Sequence, residues 1–151
     1  MKKAFLALFF SALFVSSAFG FTISITDHAD GTRVVNHNSD DWVKTGSTDT
    51  YSVLVERGIV GSKKANVDFH SVTEFNSLAE YDGFPYKIKR IYTYGVMTCS
   101  NNILMILVDI YVDSDSIIRY TQAYQQGNYV VNMTDTKIKQ NITGAVCGDT
   151  I

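Results

Sequence analysis

Period-two alternation of apolar and polar residues recurs along this chain, and it restricts the fold more than any other feature. In residues 65–75, Ala65, Val67, Phe69, Thr73 and Phe75 fall on one side, and Asn66, Asp68, His70 and Glu74 on the other. Successive side chains of a strand point to opposite faces, so this pattern predicts a strand with one face buried. Residues 21–26 alternate as strictly, with Phe21, Ile23 and Ile25 against Thr22, Ser24 and Thr26. The hairpin dipeptide Asp30-Gly31 then precedes residues 32–36. Residues 51–60 read as another strand, turned by Gly61-Ser62-Lys63-Lys64. Residues 76–86, with Asp82-Gly83 and the only proline, Pro85, read as a loop.

Residues 87–99 continue the pattern, Asn101-Asn102 turns the chain, and residues 103–113 follow. Leu104, Ile106, Val108, Ile110 and Val112 make one aliphatic face of that segment. Ile103, Met105 and Leu107 begin the other, which ends in Asp109, Tyr111 and Asp113. A run apolar on both sides predicts a central strand. Residues 117–124 add a strand, and residues 127–133 a short edge piece.

The last segment changes period. Ile138, Ile142, Ala145 and Val146 recur at helical spacing, with Asp135 or Thr136 where an N-cap belongs and Gly148 after the end. The two cysteines, Cys99 and Cys147, are most simply one disulfide in an oxidising compartment. That bond would pull the helix end onto the strand ending at Cys99. There Ile91, Thr93, Gly95, Met97 and Cys99 share a side whose small residues leave room for a helix. The expected fold class is α+β: an antiparallel sheet of about five to seven strands, a C-terminal helix packed on one face, and one disulfide.

The compartment follows from the first residues. Lys2 and Lys3 precede a mostly apolar run to Val15, and Ser16-Ser17 leads into Ala18-Phe19-Gly20. That is the order of a secretory signal peptide over residues 1–20, cut after Gly20. The run falls short of the roughly 20 apolar residues of a membrane span, and nothing later resembles a second one. Residues 21–151 then form a single secreted domain, with an N-terminal hairpin at 21–38 and a core at 40–148. The expected location is extracellular or at the cell surface, with the periplasm as the alternative. Loss of Lys2 and Lys3 takes the Lys and Arg count from 13 to 11 against 15 Asp and Glu, a formal charge of −4. A mildly acidic chain without a basic cluster is a poor partner for nucleic acid or an anionic membrane. The sequons at Asn132 and Asn141 would matter only in a eukaryotic secretory route.

Candidate chemistry is sparse. His28 and His37 lie among Asp27, Asp30, Asp40 and Asp41, but the spacing matches no compact zinc pattern, and solvated loop positions are expected. Asn36, Asn38 and Asp40 fail as a calcium loop, because Asp41 stands where glycine is needed. His70 beside Asp68 and Ser71 reads as an exposed strand histidine, and no G-x-S-x-G elbow is present. Gly58, Gly61, Ser62 and Lys63 do not space as a phosphate loop. Asp109 and Asp113 share a strand face, where turn and surface roles are expected. No catalytic residue, metal or cofactor is therefore expected. The more suggestive feature is aromatic: Tyr92, Tyr94 and Val96 face away from the expected helix, and Tyr111, with Tyr120 or Tyr124, could join them on that second sheet face. These tyrosines are expected to cover the sheet or pack under the N-terminal hairpin, and a partner or homodimer face is the alternative.

Taken in order, Trp42, Tyr51, the strand at 65–75, Cys99, the strand ending Asp109-Ile110-Tyr111, the turn Asp113-Ser-Asp-Ser116 and a terminal helix ending in Cys147 resemble the surface-adhesin protein E family of Gram-negative bacteria. The resemblance spans roughly residues 40–148. It implies an antiparallel sheet with one disulfide-held helix and non-catalytic binding of host extracellular-matrix or plasma proteins, often as a dimer. Two features depart from it: the chain has no lipid-attachment cysteine near the cleavage point, and it lacks a basic matrix-binding segment. The expected function is adhesin-like binding of a host or extracellular protein. A small secreted enzyme or a periplasmic inhibitor or assembly factor stands as the alternative.

Overall fold

The computed structural model describes residues 23–125 and 128–148. The expected signal peptide, and Phe21 of the first alternating segment, lie outside the described residues. The N-terminal hairpin pairs β1 (Ser24–Asp27) with β2 (Arg33–Asn36), with Gly31 at φ 85° in the turn. Seven further strands build one antiparallel sheet: β3 (Trp42–Ser47), β4 (Tyr51–Glu56), β5 (Asn66–Ala79), β6 (Ile88–Thr98), β7 (Ile103–Val112), β8 (Ile118–Ala123) and β9 (Val130–Asn132). They lie in sequence order from β3 to β8. β9 takes the other half of the outer edge of β7, so Val108–Val112 faces β8 and Ile103–Met105 faces β9.

The helix α1 (Lys137–Cys147) starts where the side chain of Thr136 accepts from Lys139 N, and stops at Gly148, whose φ of 71° leaves the helical region. Cys99 and Cys147 form the disulfide, with Cα atoms 5.6 Å apart. The fold is α+β, as the alternation and the change of period at the C-terminus require.

The sheet buries both faces. On the helix face, Val53, Val55, Val67, Phe69, Met97 and Leu104 pack with Met133, Ile142 and Val146. On the hairpin face, Val35 and Trp42 cover Val72, Tyr92, Ile110 and Val112. Two irregularities decide which residue reaches which layer. Between β6 and β7 the register pairs Tyr94 with Val108 but Gly95 with Ile106, leaving Leu107 as an extra residue. An extra residue inverts the side-chain alternation beyond it. Leu104 and Ile106 therefore join the helix layer, whereas Val108, Ile110 and Val112 join the hairpin layer. The single aliphatic face expected for residues 104–112 is split between two cores.

Gly95 sits at this bulge. A Cβ there would lie 2.4 Å from Met105 O and 3.2 Å from Ile106 Cα. Its missing side chain makes room for the β7 backbone, and not for the helix as expected. The analogous close approach of α1 occurs at Gly46, after a second bulge in β3, where Ile138 Cγ1 would be 2.7 Å from a Cβ.

Three segments differ from expectation. The strand expected over residues 51–60 stops at Glu56, and a 3-10 turn at Arg57–Ile59 follows it. β5 continues through Ala79 instead of ending near Phe75, with a register shift against β6 between Glu74 and Ala79. β3 forms from Trp42-Val-Lys-Thr-Gly-Ser, which has no alternation of its own; pairing with β4 and the seat of α1 on Gly46 hold it. No helix among the described residues is long and apolar enough to cross a membrane.

Candidate functional site

The long β5–β6 hairpin extends past its neighbours, and its tip at residues 80–87 carries Tyr81, Phe84 and Tyr86 to the outer half of the helix face. Tyr111 and Tyr120, directly paired across β7 and β8, receive them. Ring centroids link Tyr81 to Tyr111 at 6.0 Å, Tyr111 to Tyr120 at 5.7 Å, Tyr120 to Phe84 at 5.9 Å and Phe84 to Tyr86 at 5.6 Å. The Arg119 guanidinium lies 4.5 Å from the centre of the Tyr86 ring and is held there by Asp113 Oδ2 at 2.6 Å. Contacts of this edge-to-face kind favour one another by about 0.5–1.5 kcal/mol beyond the area they bury. Yet Tyr81, Tyr86 and Tyr120 remain 40 %, 41 % and 46 % exposed. The cluster is organised and still open.

Asp109 is buried beside it, 8 % exposed. Its Oδ1 accepts from Thr93 Oγ1 at 2.6 Å, and its Oδ2 from the Tyr124 hydroxyl at 3.0 Å. Burial raises the Asp109 pKa, and the two hydrogen bonds oppose that rise. Burial, and then the Asp109 charge, push the Tyr124 phenol upward. Tyr124 stacks on Tyr129 at 4.8 Å, and the pair closes the excursion that separates β8 from β9. Asp113 is also buried, accepting from Asp115 N and Ile117 N in the turn before β8. The turn role expected for Asp113 holds, but the surface role expected for both aspartates does not. Pairing beneath the aromatic tip removes them from solvent.

The residues expected to share a partner face are separated. Tyr92, 2 % exposed, lies under the N-terminal hairpin, with its hydroxyl bonded to His37 Nδ1 at 2.9 Å and burial pushing its pKa up to about 12. Tyr94 is buried against His70, whose ring centroid is 5.1 Å away. Val96 stays half-buried on the hairpin face. Tyr111 belongs to the aromatic cluster on the opposite face. Sequence spacing placed Tyr92, Tyr94 and Val96 on one side, and Tyr92 packs under the N-terminal hairpin as expected, but the spacing carried no sign of the tip over Tyr111.

The histidines also correct the reading of the sequence. His70 is not exposed: it is 6 % accessible, and its Nδ1 contacts Glu56 Oε2 on β4. Ser71 points to the other face, so no His70–Asp68–Ser71 constellation forms. His28 lies in the hairpin turn and His37 beyond the far end of β2, so the register keeps them apart. His28 is exposed, as expected, whereas His37 is half-buried and stacks on Trp42 at 6.0 Å and 10°. Among the described residues, no group of three or more His, Cys, Asp or Glu side chains is placed to hold a metal ion.

No protein-family model matches the chain, and neither a curated protein nor a solved structure matches it significantly.

Proposed function

We propose that the mature chain is an exported, non-catalytic binding protein, adhesin-like in its mode of action, whose aromatic face takes a host or extracellular protein. The observation that carries this reading is the open cluster of Tyr81, Phe84, Tyr86, Tyr111 and Tyr120. Tyrosine is enriched where proteins meet, because its ring buries area while its hydroxyl finds a polar partner. The lysine-led leader supports export, as does a disulfide of the kind that persists in oxidising compartments. The layout resemblance to the surface-adhesin protein E family supports the choice of partner.

A second surface supports self-association. Val130, Met105 and Val96 pair across three strands on the hairpin face, flanked by Ile103, and belong to neither core. The N-terminal hairpin stops short of them, and Asn66, Asp68, Thr98 and Asn132 rim the row. An aliphatic centre with a polar rim is the anatomy of a homodimer contact.

The test is binding of the mature protein to immobilised extracellular-matrix and plasma proteins. Saturable binding that falls at least about tenfold in Tyr86→Ser/Tyr120→Ser, with unchanged circular dichroism, is expected, since interface tyrosines often cost more than 1 kcal/mol each on truncation. Absence of any saturable partner, or equal affinity in the double variant, would remove the aromatic face as the binding surface.

A further inference from the structure

A groove of about 670 Å³ runs beside the first turns of α1, on the opposite side of the helix face from the aromatic cluster. Its wall is apolar: Tyr51 and Phe75 meet edge to face at 6.3 Å, and Val53 and Ile142 continue it inward. Its rim is cationic and amide-bearing, from Lys137, Lys139 and Asn141 on the helix. Lys137 and Asn141 stand four residues apart, so they share one helix face. Not one of the lining residues is acidic, although the chain carries 15 Asp and Glu. Lys139 Nζ is 3.4 Å from Asp135 Oδ2, whereas Lys137 makes no ion pair among the described side chains.

The position of the helix keeps the groove open. Ile138 seats on Gly46, which fixes the start of α1 against β3, and the disulfide fixes its other end against β6. The volume falls in the roughly 300–1,000 Å³ range of small-molecule sites, which typically join an apolar lining to a few polar groups.

We propose that this groove binds a small anionic amphiphile, with its apolar body against Tyr51, Phe75 and Ile142 and its carboxylate head at Lys137 and Asn141. Charge decides the class. A cationic amphiphile would set its head beside the Lys137 ammonium, and a neutral one would forgo the attraction to it. The site is separate from the aromatic face, so either can fail without the other.

Decanoate and decyltrimethylammonium below their micellar concentrations, and decanol below its solubility limit, serve as probes in calorimetry and in amide chemical-shift mapping of the oxidised mature protein. Decanoate is expected to bind saturably, at least tenfold more tightly than the other two, with shifts centred on Tyr51, Phe75 and residues 137–142. Lys137→Gln should weaken decanoate about tenfold while leaving decanol binding and the melting temperature unchanged. Lys137 is exposed and outside any ion pair among the described side chains, so the variant retains its fold. Equal affinity for decanoate and decanol, decanoate binding untouched by Lys137→Gln, shifts centred on the aromatic cluster instead, or no saturable decanoate binding would each overturn the proposal.

Discussion

Gly95 and His37 show how much one position can carry. Gly95 is required by backbone contact: any Cβ would press on Met105 O across the sheet, and a carbonyl in a paired strand cannot swing aside as a side-chain tip can. Gly95→Ala is expected to cost about 3 kcal/mol, the upper end of overpacking penalties, seen as a lower urea midpoint with an unchanged slope. A loss below about 0.5 kcal/mol would mean that the bulge relaxes freely. His37 is disturbed electrostatically. Burial between Trp42 and Tyr92 lowers its pKa first and the Arg90 charge second, against weaker pulls from Glu74 and Asp41. A histidine of the unfolded chain titrates near 6.5, so the folded state binds this proton less readily than the unfolded one. The contribution of His37 to stability is therefore complete above about pH 6.5 and declines as the pH falls from there through the lowered folded value. Urea unfolding from pH 7.5 to pH 5 should show that decline, and the difference between wild type and His37→Gln isolates it from the carboxylates. Parallel pH profiles for the two proteins would exclude the effect.

At the scale of elements, the disulfide and the bulges do different work. The bond between Cys99 and Cys147 spans a sequence separation of 48 residues, and closing such a loop restricts the unfolded chain by roughly 4 kcal/mol in the entropy model. It also holds the last turn of α1 over Val67 and Met97, where Val146 is fully buried. Cys147→Ser is expected to lower stability by several kcal/mol and to expose the helix core to a hydrophobic dye. Oxidised and reduced proteins that unfold at the same urea concentration would refute the staple role. The bulges in β3 and β7 instead assign residues to layers. Without the one at Leu107, Ile106 and Val108 would face the same side, and one of the two cores would lose a member. The hairpin and α1 are thus matched to a sheet whose strands change sides partway along.

The whole molecule presents three layers, and two areas of the sheet lie beyond the reach of the helix and the N-terminal hairpin. On the helix face, α1 stops short of β8, and the aromatic tip occupies the remainder. On the hairpin face, nothing among the described residues covers the row Val130–Met105–Val96, and Val130 is 53 % exposed. The apolar row and its polar rim, about four strands by three rows, span roughly 400 Å² at strand spacings of 4.8 Å and face repeats of 6.8 Å, the size of the largest patch on an ordinary monomer, which is often functional. Burying two such faces gives roughly 800 Å², below the standard size of specific interfaces, so a weak, transient dimer is expected. Sedimentation velocity of the mature protein should show a concentration-dependent monomer–dimer shift that Met105→Lys and, independently, the edge variant Val130→Lys abolish. A monomer at several hundred micromolar, or a dimer indifferent to both lysines, would dispose of this face as the contact.

The sequence by itself determined most of the elements and, in strands without a bulge, which side chains share a face. Alternation in residues 65–75 and 87–99 named the faces of β5 and β6 correctly, the change of period after Asp135 marked α1 with its Thr136 cap, and the cysteine pair tied that helix to the sheet. These features are local: each follows from side-chain spacing or from a single bond. What lay beyond reach were the decisions made by neighbours distant in sequence. His70 looked exposed because its strand face is polar, but Glu56 comes from another strand to meet it. Tyr92 was expected under the N-terminal hairpin, but only the folded chain shows that Val35 and His37 are the residues that cover it. Tyr81, Phe84 and Tyr86 looked like loop residues until the length of the β5–β6 hairpin placed them over Tyr111 and Tyr120. Periodicity reports which way a side chain points relative to its own strand; only tertiary packing decides what stands in front of it.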